Sequence, residues 1–297
     1  MSLPPRAVLV HRRTELDELI ERHATRGQAA FFLSTRGRSM QDAEQRDGAI
    51  KATIGVVSAA IPADWRRATV ERADLPRWTF DSGDIVVVVG QDGLVANVAR
   101  YLDGQPVIGI NPEPERNPGV LVPHRPGSAG RLLTSTAGGG PDIEERVMVE
   151  ASVDDGQAVV ALNEVYVGQP THQTARYTLT LPDGRVERQA SSGLIICTGT
   201  GGTGWGRSAW LERHSSVELP GPVQARLAWF VREAWPSPVT GVSCTEGALG
   251  RRESLELLAE SDRLVAFGDG IESDAVAVSW GQRVSIGLAA RTLRLVR

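Results

Sequence analysis

Asp92 stands between Gly90 and Gly93, where a run of aliphatic residues from Ile85 to Val89 stops and an apolar helical pattern begins. A turn from a buried strand into a helix leaves backbone N–H groups free, and the helix N-terminus there favours phosphate. An acid at such a turn can take a proton from an attacking hydroxyl or help to hold magnesium. Asp-Gly also occurs in ordinary turns, and alone this segment reads that way at least as well. A second candidate is the adjacent pair Asn163 and Glu164, set between apolar runs. An amide and a carboxylate side by side can hydrogen-bond two ribose hydroxyls or an adenine edge; in isolation they read as a turn or bulge between strands. The third is Thr-Gly-Thr-Gly-Gly-Thr-Gly over 198–204, opened by the apolar GLIIC and followed by Trp205. Its N–H groups and the hydroxyls of Thr198, Thr200 and Thr203 can meet phosphate oxygens, and Trp205 can stack on a base. A glycine-rich loop with only a structural role is costly in chain entropy, so the functional reading is preferred here. The fourth is Asp269-Gly270 with Glu272, Ser273 and Asp274, an acidic turn that reads first as a solvated hairpin.

The elements that must position these segments fall into two regimes. Up to about residue 120, strand and helix patterns alternate. AVLV (7–10) reads as a strand, and Thr14 as the cap of a helix over 15–26 that stops at Gly27. Asp17 holds the place where a capping box prefers a longer side chain. AAFFL (29–33) is the next apolar run. DIVVVVG (84–90) has the unbroken apolar character of a strand buried on both faces, as in a parallel sheet. LVANVARYL (94–102) has helical spacing and PVIGI (106–110) is a further strand, so this stretch is a βαβ unit. After residue 120 short alternating runs follow one another: 145–153, 157–168, 176–181, 186–190 and 193–198, with a hairpin signal at Pro182-Asp183-Gly184, and more runs to the end. The expected fold is an α/β domain with a parallel sheet over 1–120 and a β-rich domain over 121–297, with the Pro- and Gly-rich stretch 111–130 as hinge.

Composition narrows the partners. A net charge of -4 gives no general attraction to nucleic acid or anionic membrane. Cys197 and Cys244 lie apart in apolar surroundings, without metal-ligand spacing, and read as buried reduced thiols. The N-terminal sequence lacks a signal-peptide pattern and no apolar stretch is long enough to span a bilayer. A soluble cytoplasmic protein is expected.

Taken together and in order, these segments resemble the NAD kinase family. Its pattern is a GGDGT turn, an Asn-Glu pair, a Thr- and Gly-rich loop ending in an aromatic residue, and a late Asp-Gly. The likeness is greatest to the mitochondrial-type branch and its bacterial relatives. NPEPERNPGVL (111–121) is similar to that branch's Asn-x-x-Pro-Glu-Arg segment, and SSGLIICTGTGGTGW (191–205) to its Ser-Ser-Gly loop with a following Trp. The resemblance covers about residues 84–290. It implies an α/β domain and a β-rich domain, related to the diacylglycerol kinase fold, with the nucleotides between them. It implies transfer of the γ-phosphoryl of ATP to the adenosine ribose 2′-hydroxyl of NAD, with magnesium. By position, Asp92 matches the residue that activates that hydroxyl. Gly90, Gln91, Gly93, Thr198, Gly199, Thr200 and Gly201 match ATP-binding positions. Asn163, Glu164, Ser192, Thr203, Trp205, Ser208 and Asp269 match the dinucleotide side. A homodimer or larger homo-oligomer is implied, and no protein-built metal cage.

Two groups of residues depart from the family pattern. GGDGT is GQDGL here, so Gln91 puts a side chain where Gly lets backbone approach phosphate, and Leu94 removes a hydroxyl. Gly202, Gly204 and Gly206 suggest a flexible loop after Thr198. These departures keep alternatives open: an inactive relative that senses NAD or NADP, a kinase for another nucleotide, and, ranked below both, a lipid kinase, which has the turn but lacks the Asn-Glu pair and the TGTGG loop.

Overall fold

The computed structural model describes residues 4–297. They form two compact units: the chain to Glu144 with Arg294–Arg297, and Glu145–Leu293. The compositional change near residue 120 comes before this division, because a helix over Ala129–Ala137 still belongs to the first unit.

In the first unit, β1 (Arg6–His11) is followed by helices α1 (Glu15–His23), α2 (Arg26–Ser34) and α3 (Met40–Ala60), then β2 (Arg66–Glu71), β3 (Asp84–Val89), α4 (Asp92–Ala99), β4 (Pro106–Ile110) and α5 (Ala129–Ala137). The strands pair in parallel in the order β2-β1-β3-β4. All six residues of β3 are buried, as its apolar run predicts. Its one polar member, Asp84, is satisfied by a two-pronged bond from Arg6, Nε at 2.7 Å and Nη2 at 2.6 Å. Leu9, Val57, Ile85, Val87, Ile108 and Leu132 are part of one core cluster. The βαβ unit β3-α4-β4 is present as expected.

The first helix differs from the sequence reading. It stops at Ala24, which adopts a left-handed φ of 60°, and Gly27 instead lies in the first turn of α2. Thr25 caps that turn through Gln28 N–H. The capping box at Thr14 forms despite the short acid: Asp17 N–H donates to the Thr14 hydroxyl and the Asp17 carboxylate accepts from Thr14 N–H. The long helix α3 gave no periodic signal because only Ala43, Thr53 and Val57 along it are buried.

The second unit contains β5 (Ile143–Val153, from Glu145 on), β6 (Ala158–Ala161), β7 (Glu164–Gly168), β8 (Ala175–Thr180), β9 (Val186–Ser191), β10 (Gly193–Cys197), α6 (Trp205–Glu212), β11 (Leu227–Arg232), β12 (Glu246–Leu249), β13 (Ser254–Ala259), β14 (Arg263–Gly268), β15 (Ile271–Ser279) and β16 (Arg283–Val296). The last residues of β16, from Arg294, belong to the first unit, where Arg294 and Leu295 pair in parallel with β4. One antiparallel sheet runs β12-β11-β10-β7-β14-β15. In the other, β13 pairs with β16 and β8, and β8 forms the expected hairpin with β9. The run 157–168 is two strands, β6 and β7, broken at Leu162 and Asn163.

The two sheets of this unit share one core. Val165, Val167, Leu194 and Ile196 meet Tyr177, Leu179, Leu255 and Leu257, the interdigitation of a sandwich. Side chains alternate along a strand, so Tyr166, Ile195, Phe230 and Phe267 point the other way, onto a second cluster capped by Ala209 of α6. That alternation puts Glu164 and Tyr166 on the α6 face of β7.

Candidate functional site

Each unit carries part of the residue set singled out in the sequence. In the first, β3 ends at Val89 and α4 starts at Asp92, with Gln91 as its N-cap in extended conformation and without a side-chain capping bond. Gly90 N–H donates to Ile110 O at 3.1 Å and fixes the end of β3 to β4. The Asp92 carboxylate gathers the segment that follows β4. Oδ1 accepts from the N–H groups of Val120, Leu121 and Val122 at 3.1, 2.8 and 3.2 Å, and Oδ2 accepts from Val120 N–H at 2.9 Å. A carboxylate has about four acceptor positions, so Oδ2 keeps room for one more donor. Asn111 folds the start of the same segment: its Oδ1 accepts from Glu113 N–H at 3.0 Å and its Nδ2 donates to Asn117 O at 2.6 Å. The segment 111–122, the first part of the stretch 111–130 read as a hinge, is thus a loop wrapped on two polar side chains. Gln91 and Gly93 are exposed. Leu94 is only 5% exposed, and its Cδ2 lies 3.1 Å from where a Cβ on Gly90 would stand. The leucine that replaces the family's threonine is a packing residue.

In the second unit, three of the predicted segments come together. Leu162 and Asn163 form the turn between β6 and β7. The Asp269 carboxylate accepts from Leu162 N–H at 3.0 Å and Asn163 N–H at 2.7 Å, and Asp269 N–H donates to Glu164 O at 3.0 Å. From the other side, the Thr198 hydroxyl donates to Leu162 O at 2.6 Å, and Thr198 N–H donates to Asn163 O at 2.9 Å. Glu164 is buried, and that burial, with a smaller contribution from the charge of Asp269, pushes its carboxyl up to about 7. A group poised there changes charge near neutral pH, as binding and catalytic acids often do.

The loop after β10 corrects an expectation. Its composition suggested an open cradle of N–H groups, but the turn is closed. Thr198 Oγ1 accepts from Thr200 N–H and Gly201 N–H at 3.1 and 3.2 Å, and Gly202 N–H donates to Thr198 O at 2.9 Å. Thr198, Gly199, Thr200 and Gly201 are all buried, whereas Thr203 and Gly204 are exposed. Gly199, Gly201 and Gly206 serve close packing, whereas a Cβ at Gly202 or Gly204 would meet nothing closer than 3.8 Å. A Cβ at Gly201 would collide with the Asn163 carbonyl, and one at Gly206 would press on the Cys197 side chain.

Trp205 opens α6 and is half-buried. Its indole stacks on Tyr166, with centroids 5.6 Å apart, and Tyr166 in turn packs on Phe267. The Arg232 guanidinium lies 5.4 Å from the Trp205 ring centroid. Ser192 accepts the Tyr166 hydroxyl on its carbonyl at 2.6 Å, and Ser208, exposed on α6, donates to Gly204 O. Two residues that sequence reasoning passed over stand out. Tyr166 supports Trp205 and was findable, since strand alternation puts it on Glu164's face. Arg146 is 1% exposed and donates from Nη1 to the Thr200 hydroxyl at 3.2 Å; among Glu144, Glu145 and other charges it reads as a solvated residue. Among the described residues, no group of three or more His, Cys, Asp or Glu side chains is placed to hold a metal, and no helix is long and apolar enough to cross a membrane.

Comparison with known proteins gives this arrangement its relatives. The chain is 34% identical over 193 residues to the NAD kinase of Methanoregula boonei, covering 64% of this chain and 69% of that one. It is 30% identical over 225 residues to the NAD kinase of Symbiobacterium thermophilum, covering 72% and 73%. To mitochondrial NAD kinase 2 of Rattus norvegicus it is 32% identical over 181 residues, covering 46% and 43%. The chain therefore spans less than half the length of that mitochondrial relative, and about half, 47%, of another bacterial one. No family model matches it. A two-unit chain of α/β and β-rich parts, with an Asp-Gly turn, an Asn-Glu turn and a Thr-Gly loop in this order, defines a nucleotide-handling kinase fold. The chain belongs to the NAD kinase family.

Proposed function

We propose that the protein is an ATP-dependent NAD kinase that phosphorylates the adenosine ribose 2′-hydroxyl. The observation that carries the reading is the joined turn of the second unit, where Asp269 and Thr198 hold Asn163 and Glu164 from two sides. In this reading Asn163 and Glu164 hydrogen-bond the ribose hydroxyls. Trp205, steadied by Tyr166, offers its ring to a base, and Thr203, Ser192 and Ser208 line the dinucleotide side. Asp269 acts through the turn. Gly90, Gln91 and Gly93 meet the triphosphate. The loop of Thr198, Gly199, Thr200 and Gly201, closed on itself and braced by Arg146, supports the Asn163 turn. The 2′-oxygen attacks the γ-phosphorus, the bond to the β-phosphate oxygen breaks, and the hydroxyl proton passes to Asp92 through Oδ2. Magnesium, when bound, neutralises phosphate charge, and it arrives on the triphosphate, since such ions are commonly held by one or two carboxylates and substrate phosphates. Family likeness supports a cytoplasmic homodimer or larger assembly, and the near-neutral charge supports neither nucleic acid nor membrane as a partner. The test is formation of NADP from NAD and ATP.

Gln91 is where this reading is most exposed to experiment. The side chain makes no capping bond, and glycine is an acceptable N-cap, so Gln91→Gly leaves stability nearly unchanged. It is expected to raise kcat/KM for ATP several-fold, by letting backbone approach phosphate. An unchanged or lower value, from steady-state assays at saturating NAD, shows that the donor side is built around Gln91. Leu94 is best left in place, because threonine there would open the packing at a cost of roughly 1–3 kcal/mol.

A further inference from the structure

Asp269 has the composition of a solvated turn and the geometry of a built one. Its carboxylate and its own N–H tie it to three consecutive residues, Leu162, Asn163 and Glu164. It does so at a left-handed φ of 54°, followed by Gly270 at 69°. A side chain in that region is uncommon, though Asp and Asn tolerate it better than most, and such conformations persist where the surroundings over-determine them.

We infer that Asp269 is a positioning residue: it folds the turn at 162–164 so that the side chains of Asn163 and Glu164 are offered to the dinucleotide as a pair. The inference rests on reading that pair as the dinucleotide grip, and it goes beyond it by giving the late Asp-Gly an indirect role. Charge supplies a signature that a purely structural role lacks. The groups around Glu164 are Asp269, from the turn between β14 and β15, and the Cys197 thiol opposite it on β10, which burial pushes up to about 12 and so keeps neutral. Helix α6 meets this face through Trp205, Gly206 and Ala209, none of them charged. Burial first, and then Asp269, holds the Glu164 carboxyl at about 7. The ionised form accepts hydroxyl hydrogens, so NAD affinity rises as pH passes upward through that value. Removing the charge at 269 lowers the Glu164 value and moves the rise to lower pH. A residue that merely holds the fold would weaken binding without moving the midpoint.

The test is calorimetric titration of NAD between about pH 5.5 and about pH 8.5 with the full chain as parent, Asp269→Asn and Glu164→Gln. Asparagine suits the left-handed backbone, but its amide nitrogen faces a backbone N–H where a carboxylate oxygen stood. The parent is expected to gain about tenfold in affinity across the range. Glu164→Gln is expected to be flat, and Asp269→Asn to bind about tenfold more weakly with its midpoint shifted down. A midpoint in Asp269→Asn equal to the parent's overturns the inference. So does a parent that binds NAD with no pH dependence, or a Glu164→Gln protein with the parent's profile, and both outcomes stand whether or not Asp269→Asn folds. A parent that binds NAD at no pH overturns the dinucleotide reading itself, which tells that failure apart from the others.

Discussion

Asp92→Asn is expected to lower the rate of phosphoryl transfer by roughly 10²–10⁴-fold, the range for loss of a positioned general base, with NAD affinity within several-fold of the parent. The affinity should survive because Asn163 and Glu164, the proposed dinucleotide grip, are held by Asp269 and Thr198 in the second unit. A second consequence follows from the bonds that Asp92 makes. Its two oxygens collect three backbone N–H groups at Val120, Leu121 and Val122. An asparagine with its oxygen at the Oδ1 place keeps an acceptor for all three, but it loses the second bond to Val120 N–H and the carboxylate's charge, at about 0.5–1.5 kcal/mol. The variant should therefore melt at a lower temperature as well as turn over more slowly. The two effects are separable. Full turnover in a protein of reduced stability would show that Asp92 only clamps the loop. Lost turnover at a temperature well below the melting transition is what a general base requires.

Gly201→Ala is expected to have the largest effect in the second unit. A Cβ at this position runs into the Asn163 carbonyl, which is backbone and cannot swing aside. Asn163 O also accepts the Thr198 N–H, so relieving the collision separates the loop from the turn that it holds. Overpacking of this kind costs about 1–3 kcal/mol and occasionally more. We expect a clear fall in melting temperature together with loss of NAD affinity of about tenfold or more. Gly202→Ala is the matched control, since the nearest atom to its added Cβ is Leu219 Cβ at 4.0 Å. If Gly201→Ala binds NAD as tightly as Gly202→Ala, in calorimetry on folded protein, the joined turn is not the dinucleotide grip.

The sequence announced elements well where burial and period coincide. The aliphatic run of β3 and the Pro-Asp-Gly hairpin between β8 and β9 fall where their chemistry placed them. So does the strand leading into Thr198. The helix α3 did not, because so few of its side chains are buried that no apolar stripe marks it. At the site, residue types were legible and their bonds were not. Asp92 and Asp269 stood out as acids in turns, but the N–H groups they hold lie far along the chain, at 120–122 and at 162–163. Local reasoning sees a carboxylate and assigns it to a ligand; only the fold shows that it first satisfies backbone. The glycines of the Thr-Gly loop misled in the same way. Their number suggested freedom, whereas Gly201 and Gly206 are needed because a carbonyl and a thiol stand against them. Arg146 was hidden by its neighbours, since nothing in Glu144-Glu145-Arg146 says which of three charges turns inward.

The most direct test of the account is product analysis after incubating the full chain with NAD, magnesium and either ATP or inorganic polyphosphate, with a panel of other nucleosides and nucleotides as competing acceptors. The account predicts NADP, phosphorylated on the adenosine ribose 2′-oxygen, formed at the expense of the ATP γ-phosphoryl group and lost in Asp92→Asn. Binding of NAD without any NADP from either donor would contradict it and make the protein a dinucleotide sensor. Phosphate found on another nucleoside or nucleotide instead of NAD would contradict it as plainly and place the acceptor outside the dinucleotides.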